Sequence, residues 1–208
     1  MNLVQTDPPE AASDAFLRLV CSHLRRRAVL SEESPPTTAW PSDIDYIRQC
    51  AEAAVSALDG PRSSIRRALF DQEWSLFLNG FPPVIEIPLS PVQAILFIKY
   101  MDKDGAWQTL DSSKYRLTAS HTWQPEIAPV QGEAWPSTMS VAESVEVSFE
   151  AGFGPSHTNI PTAILQAVLD LTAHFYMERQ IVAFGTPTEL PFGVRDLLKP
   201  YRVFRPVR

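Results

Sequence analysis

The spacing of apolar residues changes twice along the chain, and that change limits the fold more than any other feature. From Ser42 to Leu58 it follows the roughly 3.6-residue repeat of a helix. From about residue 63 to 152 it alternates with the two-residue repeat of strands. From 162 to 180 it is helical again. Helical segments that flank a run of strands in this order predict an α+β chain. The expected architecture is a small helical bundle with an inserted antiparallel β-domain, followed by an extended C-terminal tail.

Residues 1–13 are polar and Pro-containing and read as disordered. Met1 to Glu10 lacks the apolar core of a secretory signal. Residues 14–30 predict a short amphipathic helix with Phe16, Leu17, Val20 and Leu24 on one face. Arg25, Arg26 and Arg27 follow on it as a solvated basic end, with a partner contact as the alternative. Residues 31–41, with Pro35 and Pro36, have the composition of a linker. Residues 1–41 are thus a flexible N-terminal segment carrying one short helix.

Ser42 is placed to cap the next helix, with Asp43 and Asp45 in its first turn. Ile44, Ile47, Ala51, Ala54, Val55 and Leu58 make its apolar stripe, Cys50 packs beside it, and Asp59-Gly60-Pro61 ends it. Six strands are expected after it: around Trp74–Leu78, Val84–Ile87, Ile95–Tyr100, Trp107–Leu110, Tyr115–Leu117 and Val145–Phe149. Asp102-Lys103-Asp104-Gly105 is a hairpin turn, with Gly105 free to adopt positive φ. Gly152-Phe153-Gly154-Pro155 closes the sheet, and Pro161 suits a first helical position. The helix over 162–180 carries Ile164, Leu165, Val168, Leu169, Leu171, Phe175 and Tyr176 on nearly all sides. Such a helix is central to a bundle or packs against neighbouring subunits. Ile164, Val168, Leu171 and Phe175 are the candidate packing residues, and His174 reads as a core histidine. The expected division is 42–62 and 155–199 for the bundle, 63–154 for the β-domain and 200–208 for the tail.

Composition narrows the function. The 208 residues include 19 prolines but only 8 glycines, which favours stiff connections over phosphate-cradling loops. No run reaches the roughly 20 apolar residues of a membrane helix. Cys21 and Cys50 have no CxxC spacing, as in a protein of a reducing cytoplasm. There is no GxSxG, P-loop or HExxH pattern, and the four histidines have no metal-ligand spacing. No enzymatic activity, cofactor or metal is expected. Net charge is -6, but from Arg195 onward five basic residues face one acid, a net of +4 against -10 for the rest. In the tail, Tyr201, Val203, Phe204 and Val207 offer apolar anchors and Arg202, Arg205 and Arg208 offer charge, while Pro200 and Pro206 keep it extended. The tail is expected to be mobile until a partner orders it. A DNA contact through these basic residues is the alternative, and it would weaken steeply with salt.

An ordered series of short motifs carries a resemblance. It runs through Leu58-Asp59-Gly60, Ala68-Leu69-Phe70-Asp71-Gln72-Glu73-Trp74, Phe81-Pro82, Ile87-Pro88-Leu89-Ser90-Pro91-Val92 and Tyr100 to Gly105. It continues through Lys114-Tyr115-Arg116-Leu117, Trp135-Pro136, Val147 to Gly154, Ile160-Pro161, His174-Phe175-Tyr176, Glu178-Arg179 and Leu190 to Arg202. The series, from about Ser42 to Phe204, resembles the head–tail connector (adaptor, or head-completion) family of tailed bacteriophages. It is similar to the longer subfamily with an inserted β-domain, also found in prophages and gene transfer agents. The resemblance implies a structural subunit in the virion neck, assembled in the bacterial host cytoplasm. There, usually twelve copies form a ring beneath the portal protein. The ring would extend the channel through which genomic DNA passes without sequence-specific binding, and would dock a stopper or tail-terminator protein. The tail residues are then the expected portal-docking element, and no membrane is involved.

Overall fold

In a computed structural model of the chain, residues 2–7, 13–24, 29–30, 38–118, 124–177 and 192–203 are described. Four helices lie among them: α1 (Asp14–His23), α2 (Ile44–Leu58), α3 (Thr162–Met177) and α4 (Phe192–Leu198). The α2 stripe is buried from Ile47 to Leu58, as its spacing requires. It packs on α3, which in turn packs on α4 and touches α1. Ile164, Ala167, Val168, Leu169, Leu171, Thr172 and Tyr176 of α3 are all buried, so this helix is the centre of the bundle. Its last residue, Met177, stands clear at 76% exposure, and Thr162 at its start is exposed as well. Residues 178–180, expected in the same helix, lie outside the described residues, as does the Arg25–Arg27 cluster.

The amphipathic α1 is part of this bundle. Phe16, Leu17, Val20 and Cys21 are buried in the same cluster as α2 and α3, with Leu24 half-buried at its end. Ser13 caps α1 by accepting from the Phe16 N–H. At the start of α2 the cap position is Asp43, not Ser42. The Asp43 carboxylate makes no cap bond and instead accepts the hydroxyl of Tyr176, tying α2 to the end of α3.

Two-residue strands β2 (Val29–Leu30) and β3 (Thr38–Ala39) pair with each other. The remaining strands are β1 (Asn2–Asp7), β4 (Gln72–Leu78), β5 (Ile85–Glu86), β6 (Val92–Met101), β7 (Trp107–Thr109), β8 (Tyr115–Thr118), β9 (Glu126–Pro129) and β10 (Val145–Ala151). They form a five-stranded sheet in the order β1-β4-β10-β6-β7 and a three-stranded sheet in the order β5-β9-β8, antiparallel throughout. The six expected strands are all present, and β1 and β9, with the short pair β2 and β3, are additional. The disorder expected over residues 1–13 is therefore wrong for Asn2–Asp7. That segment is an edge strand, with Leu3 opposite Leu76 and Gln5 opposite Trp74. Alternation puts Val145, Val147 and Phe149 in a second core with Trp74, Leu76 and Ile98, and leaves Glu146 and Glu150 on the outer face. The Asp102 turn forms as expected. The Asp102 carboxylate accepts the backbone N–H groups of Asp104 and Ala106 and the Gln108 amide, while Gly105 takes φ +83°. These bonds hold the exposed Asp102 carboxyl below the usual carboxylate range, the Gln108 bond contributing most.

Candidate functional site: the seam between bundle and sheet

The two cores meet at one seam, and part of the motif series noted above converges on it: Asp59, Leu69 to Trp74, Pro91, Gly152 to Gly154 and Tyr201. Asp59 leaves the end of α2 with its own N–H still bonded to the Val55 carbonyl. Its carboxylate accepts the Leu69 N–H at 2.6 Å and, through both oxygens, the Gln72 amide at 3.0 Å. The Gln72 carbonyl in turn accepts the Trp74 indole N–H at 3.1 Å and the Gln5 amide at 2.9 Å. One helix end and two strands are thereby joined through a single buried amide.

Gly152 closes the other side. Its φ is +147°, and a Cβ there would sit 2.4 Å from the Phe70 carbonyl oxygen, so only glycine fits. Its N–H donates to the Pro91 carbonyl, the Phe153 N–H to Leu69 and the Asp71 N–H to Gly154. The glycines read as a sheet terminator thus let two backbones approach closely.

Arg67 is 6% exposed. Its Nε donates to the Tyr201 carbonyl at 2.8 Å, and its guanidinium lies 5.9 Å over the Phe153 ring. Burial lowers its pKa, yet a guanidinium stays protonated. The bond to Tyr201 fastens the C-terminal segment. After α4, whose Val194 and Leu198 are buried in the bundle, Lys199–Tyr201 makes one 3-10 turn. The Val203 N–H then donates to the Ile65 carbonyl at 3.1 Å, and its side chain is 5% exposed.

This changes the reading of the tail. Tyr201 is half-buried against the bundle, Arg202 is exposed and Val203 is buried. Residues 200–203 are docked on their own chain rather than mobile, and Val203 is not available as an anchor for a partner. Phe204, Arg205, Val207 and Arg208 lie outside the described residues. Of the candidate packing residues, Ile164, Val168 and Leu171 are buried within this chain's own bundle, and Phe175 is half-buried beside them. His174 is also half-buried, its ring 6.1 Å from that of Phe175. Asp59, Arg67 and Gln72 were not anticipated as a site. Asp59 reads as a helix stop, and Arg67 is lost in an arginine-rich run.

The seam ties bundle, sheet and C-terminal segment together by hydrogen bonds and packing. Among the described residues no group of three or more His, Cys, Asp or Glu side chains is arranged to hold a metal. Burial raises the Asp59 pKa above the ordinary 3.8, outweighing the hydrogen bonds that lower it. In the window just above 3.8 the folded state therefore binds more protons than the unfolded one. This group's contribution to stability declines as pH rises through that window. Asp59→Asn removes the titration. The difference in melting temperature between native chain and variant should change as pH rises from the ordinary carboxylate range through the raised pKa of Asp59, and level off once Asp59 is ionised in the folded state. A constant difference would show that Asp59 titrates as it does in the unfolded chain.

No family model and no curated protein matches the chain. Among solved structures it is similar to a chain of the neck of an empty GTA particle computed with C6 symmetry, at TM-score 0.74 and 22% identity. It is similar to a chain of the virion of a native gene transfer agent (GTA) particle, at 0.74 and 23%. It is also similar to a chain of the neck of a native GTA particle computed with C12 symmetry, at 0.70 and 22%. Each match covers 100% of this chain and 98% of the other. The α+β fold is therefore that of chains found in these particles.

Proposed function

We propose that the chain is a structural head–tail connector subunit, forming a ring in the neck of a phage-like particle. The observation that carries this is the end-to-end likeness to neck chains, which covers 100% of this chain and 98% of each of the others. The motif series supports the same reading, because several of its members, Asp59, Leu69 to Trp74, Gly152 to Gly154 and Tyr201, meet at the seam. A joint that ties bundle, sheet and C-terminal segment into one body suits a part that must transmit load between head and tail. In this reading the ring, of twelve copies, lies beneath a portal protein and extends the DNA channel. Residues beyond Val203, with Arg202, meet the portal, and the opposite side receives a stopper or tail-terminator protein. An acidic body lining a channel repels phosphate and keeps DNA moving.

The test is light scattering with electron microscopy on the purified chain, alone and with portal. Monomers at low concentration and rings at high concentration or on portal are expected, since a ring that closed too early would not assemble in place. A stable closed dimer at every concentration, without portal binding, would overturn the reading.

A further inference from the structure

On two surfaces of opposite charge, Glu73, Glu146 and Glu150 on one and Arg62 and Arg66 on the other make no ion pair among the described residues. The first is the outer face of the large sheet. Strand register sets Glu73 of β4 directly opposite Glu150 of β10, with Glu146 on the same face of β10. Like charges directly opposed across antiparallel strands are destabilising. Among the described residues none of the three makes an ion pair. Lys99 stands opposite Glu146, but its ammonium lies 4.3 Å over the Phe97 ring.

The second is a groove of about 780 Å³ between the edge strand β1 and the loop after α2. Arg62, Arg66 and Arg202 line it, with Leu3 and Pro88 as apolar walls, and among the described residues no carboxylate does. Arg62 and Arg66 are exposed and make no ion pair among the described residues. Arg66 also takes φ +55°, a conformation unfavourable for its type, with its N–H held by the Ser63 hydroxyl.

We propose that Arg62 and Arg66, in the groove of one subunit, seat on the glutamate face of a second copy of this chain. The surfaces do not overlap: one lies under the β1 edge, the other across β4 and β10. Complementary, non-overlapping patches make a head-to-tail contact, and such a contact closes into a ring when the rotation allows. Arg62 and Arg66 supply the counter-charge that Glu73 and Glu150 lack among the described residues, and the glutamates supply theirs. A net charge of -6 makes a polyanion such as DNA the poorer occupant. The inference rests on the ring reading above and names the surface that builds it.

Charge reversal tests it by sedimentation velocity and electron microscopy on the full chain. Arg62→Glu with Arg66→Glu makes both faces acidic; Glu73→Arg with Glu150→Arg makes both basic. Each variant alone should self-associate at least about tenfold more weakly than the native chain, whereas an equimolar mixture should assemble. Assembly of the mixture also shows that both variants are folded. A chain carrying all four reversals keeps the native net charge and should assemble alone, which separates patch complementarity from bulk attraction. If the native chain never associates, with or without portal, the ring reading fails and this inference with it. If the native chain assembles but the reversals have no effect, or neither the mixture nor the fourfold chain recovers, only this interface is refuted. Loss of duplex-DNA binding in the Arg62→Glu, Arg66→Glu chain with assembly unchanged would make the groove a DNA surface and equally overturn the proposal.

Discussion

Leu169→Asp should cost about 5 kcal/mol and lower the melting temperature by about 10–20 °C. Leu169 is 6% exposed at the centre of α3, in the cluster that holds α1, α2 and α4 together. The substitution removes apolar burial and forces a carboxyl into a hydrophobic cluster. The loss approaches the whole stability of an ordinary domain. Met177→Asp on the same helix, at 76% exposure, should leave melting within about 2 °C. The pair, followed by thermal circular dichroism, separates burial from helix propensity. Equal melting of Leu169→Asp and the native chain would mean that α3 is not the centre of the bundle.

What was legible in the sequence is what short-range pattern determines. The α2 stripe, the Asp102 turn and the Val145–Phe149 alternation each announce their partner face within a dozen residues. β1 does not, because Asn2–Asp7 is mostly polar and has one half-buried apolar residue, Leu3. It is a strand because β4, about seventy residues away, offers it an edge. β9 is hidden differently: Pro125 and Pro129 bracket it, yet Pro129 is its last residue, where a missing N–H is tolerated. The cap of α2 moves from Ser42 to Asp43 because Tyr176, from α3, recruits the carboxylate. The seam was legible only as parts. Leu58-Asp59-Gly60, Phe70 to Trp74 and Gly152-Phe153-Gly154 stand out as motifs, but nothing local says that they touch.

The C-terminal segment shows the same limit. Alternation of Tyr201 and Val203 with Arg202 reads alike for a free tail and a docked one; the Ile65 carbonyl and buried Arg67 decide between them. Two truncations turn that decision into a measurement. A chain ending at Lys199 loses the Tyr201 acceptor of Arg67 and the burial of Val203. Together these should cost about 4 kcal/mol, a fall in melting temperature of roughly 8–16 °C. A chain ending at Val203 keeps both and should melt within about 2 °C of the native protein. Only the second truncation therefore isolates docking. If Phe204, Arg205, Val207 and Arg208 are the portal-docking element, the chain ending at Val203 should fold, form rings and fail to attach to portal-bearing particles. Within the full chain, Arg205→Glu with Arg208→Glu should weaken attachment in a salt-sensitive way, and Phe204→Ala with little salt dependence. Attachment undiminished in the chain ending at Val203 would move the docking surface onto the folded body. Equal melting of the two truncations would show that the bonds from Arg67 and Ile65 do not fasten the segment.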